Sequence, residues 1–251
     1  MKKIVSTLCL IGTLAFALPA FALFTNGGFE TGNFTGWTFS TPATPAAWST
    51  VSGQSISSVI SVSTPMLSGQ TVDVKPYYGN YMARLQDLDG NYHATTISQT
   101  DTIKSTDLTQ DLYVTWGALL VEPNNEHDQG NQPMFDIEVL KNGTSIGSFH
   151  ADALTKQAGG WLNYGDSGGT TWYKSGVWNF DLNTFAAGDS ITVSMSVFDC
   201  GWGGHGGSAF LDGIGTTPIV DPNNPVPEPA TIVLLGLGLA GAAMMRKRMN
   251  K

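Results

Sequence analysis

The chain has 251 residues, with 12 Lys and Arg against 20 Asp and Glu and a formal charge of −8. Residues 23–225 hold six of the cations and nineteen of the acids, a net of −13, which excludes nucleic acid and anionic lipid as partners because their phosphates would be repelled. Divalent cations and neutral sugars stay compatible with that charge.

Met1-Lys2-Lys3, an apolar run from Ile4 to Leu18 and Pro19-Ala20-Phe21-Ala22 make a charged start, an apolar core of secretory length and an A-x-A ending. These are the parts of a signal peptide, so residues 1–22 are expected to direct export and to be cleaved after Ala22. Cys9 leaves with that segment, and Cys200 is then alone and reads as a small buried residue near a strand end.

The region 23–215 reads as one all-β domain. Charged residues are scarce at 13%, Gly is abundant at 30 residues, and no run of ten or more residues has a helical period. After an opening motif at 23–37, strands are predicted over 56–62, 81–85, 95–99, 112–121, 134–140, 145–149, 172–180, 191–198 and 209–214. The 112–121 run is apolar throughout and reads as a buried strand, whereas 134–140 alternates Phe135, Ile137 and Val139 with Asp136 and Glu138. Asn142-Gly143 follows it, and two residues tolerant of positive φ between two such runs signal a tight hairpin. Nine or ten strands with Gly-, Pro- and Asn-rich connections imply an antiparallel β-sandwich or jelly roll.

Several constellations bear on chemistry. The oxygen-rich segment 122–132 fits no fixed ligand spacing and reads as a solvated acidic loop. Asp87-Leu88-Asp89-Gly90-Asn91 starts like a calcium loop but has Tyr92 and Ser98 where the EF-hand needs Gly and Glu. Gly165-Asp166-Ser167-Gly168-Gly169 matches the nucleophile motif of chymotrypsin-like proteases, but His93, His127 and His150 lack the context and distance of a triad base. Asp199-Cys200-Gly201-Trp202-Gly203-Gly204-His205-Gly206-Gly207 joins two strands and resembles loops of bacterial adhesin-like surface domains. Trp202 and His205 are its candidate contact residues. Sugar recognition needs exposed aromatic rings beside amides and carboxylates, and Tyr77, Tyr78, Tyr92, Trp161, Tyr164, Trp172, Tyr173 and Trp202 are of the right type.

The opening motif, Asn26-Gly27-Gly28-Phe29-Glu30 followed by Gly36-Trp37, resembles the start of bacterial carbohydrate-binding jelly rolls, and Phe210-Leu211-Asp212-Gly213-Ile214 resembles their closing strand. The resemblance implies that Glu30 and Asp212 share a structural Ca²⁺, with Phe29 and Trp37 as core anchors. Carboxylates and backbone carbonyls are the hard oxygen donors such an ion takes.

The pattern-free, Pro- and Asn-rich segment 216–225 is a linker. Residues 226–251 contain Pro227-Glu228-Pro229, an apolar run from Ala230 to Met245 and the basic cluster Arg246-Lys247-Arg248 ending at Lys251. Sixteen helical residues rise about 24 Å, which barely spans a bilayer core, and the cations hold that end in the cytoplasm. This order of features resembles the PEP-CTERM sorting signal of Gram-negative bacteria. The resemblance implies recognition by an exosortase-type enzyme, removal of the tail after transient anchoring in the inner membrane, and a setting of exopolysaccharide. The expected function is that of an exported surface or matrix protein, a non-catalytic binding or structural module associated with extracellular polysaccharide. A secreted hydrolase would show two facing carboxylates or a Ser167–His contact, and a protein-binding adhesin would show a large exposed apolar patch.

Overall fold

A computed structural model describes residues 23–40, 57–61, 74–86, 93–122, 132–154, 159–166, 170–201 and 205–216. The expected signal peptide, linker and sorting tail lie outside these residues. Among those described, no helix is long and apolar enough to cross a membrane.

Eleven strands run in chain order: β1 (Thr38–Ser40), β2 (Ser58–Ser61), β3 (Tyr81–Leu85), β4 (Ala94–Thr102), β5 (Asp111–Glu122), β6 (Met134–Lys141), β7 (Thr144–Asp152), β8 (Leu162–Asp166), β9 (Thr170–Asp181), β10 (Ser190–Phe198) and β11 (Gly207–Gly215). They form a five-stranded sheet in the order β1-β4-β10-β6-β7 and a six-stranded sheet in the order β2-β3-β11-β5-β9-β8. Every pairing is antiparallel. The all-β sandwich expected from the strand signals is the architecture observed. Eleven strands replace nine or ten because β1 and β8 are short strands that the apolar patterning does not mark. Each gains its pairing from a longer neighbour, β1 from β4 and β8 from β9.

The sequence pattern explains the layers. In β6, Phe135, Ile137 and Val139 are buried while Asp136 and Glu138 are half-exposed, the period-2 signature of a sheet with one wet face. Asn142 and Gly143 sit at φ 49° and 77° and close the β6–β7 hairpin as expected. The register slips between Val139 and Leu140, leaving Ile146 as an extra residue on the free-edged strand β7. That bulge blunts an edge otherwise open to pairing. β5 is buried along nearly its whole length because β11 and β9 flank it and both its faces are covered. Leu112, Val114, Trp116, Ala118 and Leu120 enter the main core, while Leu119 joins a smaller cluster with Ile60, Val74, Met82 and Phe210 on the other face.

Trp116 lies at the centre of the main core, stacked on Phe135 at 5.3 Å and on Phe149 at 4.8 Å between centroids, with Trp178 edge-on at 6.0 Å. Truncating it empties a site walled by both sheets. Trp116→Ala is expected to lower the unfolding free energy by about 3–5 kcal/mol, read from urea denaturation. Ile146→Lys, on the exposed bulge, should stay within ~0.5 kcal/mol of the parent. Equal losses from the two would contradict this placement of the core.

Candidate functional site

The opening motif folds back on itself. Asn26 takes φ 52° and its amide donates to the Asn33 carbonyl at 2.8 Å and accepts from the Thr31 N–H at 3.2 Å. Phe29 and Trp37 stack at 5.2 Å and are buried, as core anchors rather than ligand platforms. Gln99 of β4 donates to the carbonyls of Thr25 and Gly36 and pins the loop to the five-stranded sheet. On the other sheet, Ile214 of β11 donates its N–H to the Gly27 carbonyl at 3.0 Å. The first turn of the domain is therefore bonded to its last strand.

Glu30 and Asp212 reach two sides of one segment, residues 77–81, which leads into β3. The Glu30 carboxylate accepts from the N–H groups of Asn80 at 3.0 and 3.1 Å and of Tyr81 at 3.0 Å. It lies against Gly79, where an added Cβ would come within 2.3 Å of the Glu30 Cδ, and Gly79 itself is at φ 64°. Asp212 Oδ2 accepts from the Tyr78 N–H at 2.9 Å. Thr115 of β5 donates its hydroxyl to the Asp212 carbonyl. Asp212 is buried, and its Oδ1 has no hydrogen-bond partner of ordinary geometry.

Burial pushes the Asp212 carboxyl well above the usual carboxylate range. The peptide N–H groups of Tyr78, Gly213 and Tyr77 oppose that shift, and the Glu30 charge adds to it. The Tyr78 phenol is also raised, first by burial and then by the two carboxylates. No Lys, Arg or His pairs with either acid among the described residues. Beside Asp212 is a cavity of about 10 Å³, lined also by Tyr77, Thr115, Tyr173 and Phe210. That space admits a single water. The Tyr77 hydroxyl donates to Ser175 Oγ at 2.5 Å. Among the described residues no three of His, Cys, Asp and Glu converge as a metal cage, so a cation here would need backbone carbonyls and water besides the two acids.

The second predicted loop is partly framework. Cys200 is buried and its N–H donates to the His205 carbonyl at 2.8 Å. His205 is half-buried, while Gly206 and Gly207 are buried, Gly207 opening β11. Asp199 is buried and accepts from Gln86 at 2.7 Å and from the Gly207 N–H at 3.1 Å. Trp202 and Ser167 lie outside the described residues. Two half-buried aromatics not marked by the sequence, Trp178 and Phe180, line a groove at the sandwich edge. They sit within a strand pattern, and nothing local separates a rim aromatic from a core one.

A carboxylate whose pKa is higher folded than unfolded stabilises the fold when protonated. That contribution is fully present below about pH 4, the unfolded value, and is lost as pH rises through the raised folded pKa. With divalent cations chelated, stability should therefore fall across that window. Asp212→Asn should flatten the fall and be more stable than the parent near neutral pH, as measured by thermal melts across pH. The same slope in both proteins would place the titration elsewhere.

Comparison with known proteins bears on the C-terminal segment and on the fold. Residues 225–248 match the PEP-CTERM protein-sorting motif. The crystal structure of the Stig cyclase Fisc from Fischerella sp. TAU, in complex with an indole compound, aligns with 76% of this chain and 93% of its own at 13% identity and a TM-score of 0.39. CBM27-1 of Caldicellulosiruptor saccharolyticus, in complex with mannohexaose, aligns with 75% of this chain and 93% of its own at 15% identity and a TM-score of 0.35. A carbohydrate-binding module specific for non-crystalline cellulose, CBM28, aligns with 78% and 94% at 13% identity and a TM-score of 0.37. Likenesses this distant assign no function. No curated protein matches the chain. The C-terminal segment carries a PEP-CTERM sorting motif, which marks the chain for export, exosortase processing and sorting to the cell surface.

Proposed function

We propose that this chain is a cell-surface or matrix protein whose β-sandwich is a non-catalytic module associated with extracellular polysaccharide, stapled by Ca²⁺ at Glu30 and Asp212. The sorting motif at 225–248 is the observation that carries the surface role, because it fixes the compartment in which the acidic sandwich works. In this reading the tail anchors the chain in the inner membrane until an exosortase-type enzyme removes it. The net charge of −13 over residues 23–225 favours neutral polymers and divalent cations over polyanions.

Carboxylate oxygens are the donor type Ca²⁺ takes, and backbone carbonyls and water would have to complete the set. Glu30 and Asp212 supply two carboxylates unpaired with any cationic side chain among the described residues. Oδ1 of Asp212 is buried with an unused acceptor site. A bound divalent cation offsets the cost of ionising Asp212 and draws the 77–81 segment, the opening motif and β11 together. Glu30 and Asp212 would hold the ion, and it would supply structural charge rather than chemistry.

Saturating Ca²⁺ at 100 times its dissociation constant should add about 2.7 kcal/mol of stability, seen as a rise in melting temperature over chelated protein. Glu30→Gln and Asp212→Asn should abolish that rise. An equal rise in both variants would remove the staple. Affinity electrophoresis of the protein recovered from its host, through gels containing the host's extracellular polysaccharide, tests the module itself. Saturable retardation without release of reducing ends is expected, and release of reducing ends would instead identify a hydrolase. Intact mass of the same protein should lack Arg246–Lys251, and its retention would refute tail processing.

A further inference from the structure

We infer that Arg84, on the outer face of the six-stranded sheet, is a binding site for the carboxylate of a small organic anion such as a sugar acid. This goes beyond the surface role proposed above and does not depend on it. Arg84 is the sole arginine of residues 23–225, where six cations face nineteen acids. Despite that excess of acid, its side chain makes no hydrogen bond or ion pair among the described residues.

Strand pairing fixes where Arg84 points. Its neighbours Ala83 and Leu85 are buried in the main core, so alternation turns Arg84 to the opposite face of the sheet. It pairs with Ser58 of β2 on one side and with Phe210 of β11 on the other. Directly paired residues hold their Cβ atoms about 4.5–5.5 Å apart, so a hydroxyl and an aromatic ring flank the Arg84 stem. Phe210 belongs to the apolar cluster on that face, together with Met82 and Ile60. The nearest acids in the pattern are already committed. Asp212, two residues along β11 from Phe210, accepts from the Tyr78 N–H, and Glu30 accepts from those of Asn80 and Tyr81.

The guanidinium is sealed at one end and open at the other. Nε is buried and unpaired, and so is Oγ of Ser58 beside it. Nη1 and Nη2 are not among the buried unpaired atoms, so that end of the fork meets solvent. Buried donors in proteins are almost always paired, and the exceptions point to strain, function or a bound ion or water. Partial burial weakens the hydration of this cation, and no counter-charge offsets the loss. A carboxylate supplies that counter-charge. Its two oxygens match the guanidinium fork, and such charge-assisted bonds are about twice as strong as neutral ones. A neutral sugar offers hydroxyls but leaves the charge uncompensated. The net of −13 over residues 23–225 sets the size of the ligand. Each further negative charge on it adds repulsion, whereas a single charge at Arg84 is screened from acids farther off than about 8 Å at physiological salt.

The test is a nitrogen NMR titration of the full chain. The Arg84 Nε–H is sheltered from water, and its resonance is identified as the one lost in Arg84→Lys. Glucuronate is expected to shift it saturably, and glucose, the neutral counterpart, to leave it in place. Acetate then separates two sources of the carboxylate: an equal shift means that the carboxylate alone is recognised, and a smaller one that the sugar ring contributes. Arg84→Gln should bind glucuronate at least about tenfold more weakly, with Arg84→Lys between it and the parent because it keeps the charge and loses the fork. The lysine variant also separates lost binding from lost folding, since it retains the cation and its apolar stem. An equal shift with glucose would overturn the anion class. Undiminished glucuronate binding by Arg84→Gln would overturn the assignment to this residue, and an unmoved resonance in the parent at high glucuronate would remove the site. Each of these results is independent of the affinity electrophoresis that tests the polysaccharide-associated module.

Discussion

The domain is closed by a meeting of residues far apart in the chain, and its cost is buried negative charge. The opening turn bonds to β11 through Gly27 and Ile214, Glu30 holds the N–H groups of Asn80 and Tyr81, and Asp212 holds that of Tyr78. Peptide N–H groups are the only donors these carboxylates receive among the described residues, and they do not fully compensate Asp212, whose Oδ1 is left over. Desolvation of a carboxylate without a cation favours its protonated form. The joint that ties the first motif to the last strand thus holds a buried carboxyl whose protonated form the fold favours.

The rest of the sandwich is arranged around β5. Its neighbours β11 and β9 carry, respectively, the closing motif and the aromatic edge. Trp116 connects these regions, since it stacks on the five-stranded sheet and touches Trp178 at the rim. The groove is consequently built on the core rather than on a loop.

Charge and compartment fit together. A net charge of −13 over residues 23–225 repels polyanions. The basic cluster Arg246-Lys247-Arg248 belongs to the segment that carries the sorting motif. The functional division of the chain follows that separation of charge.

Much of this was determined by the sequence alone. Alternation in β6, the apolar run of β5 and Asn142-Gly143 specify strands and a hairpin, because side-chain period and turn sterics are local properties. The sorting motif is likewise read as a linear pattern. Glu30 and Asp212 could be paired only through resemblance, since 182 positions separate their numbers and no local rule joins them. Tertiary structure decided that both acids grip residues 77–81, that Gly206 and Gly207 are framework, and that β1 and β8 are strands at all. It also decided that Trp178 and Phe180 line an open edge while Phe29 and Trp37 are sealed in the core. Aromatic residues look alike in a strand pattern, and whether a ring meets solvent depends on where the opposite sheet ends.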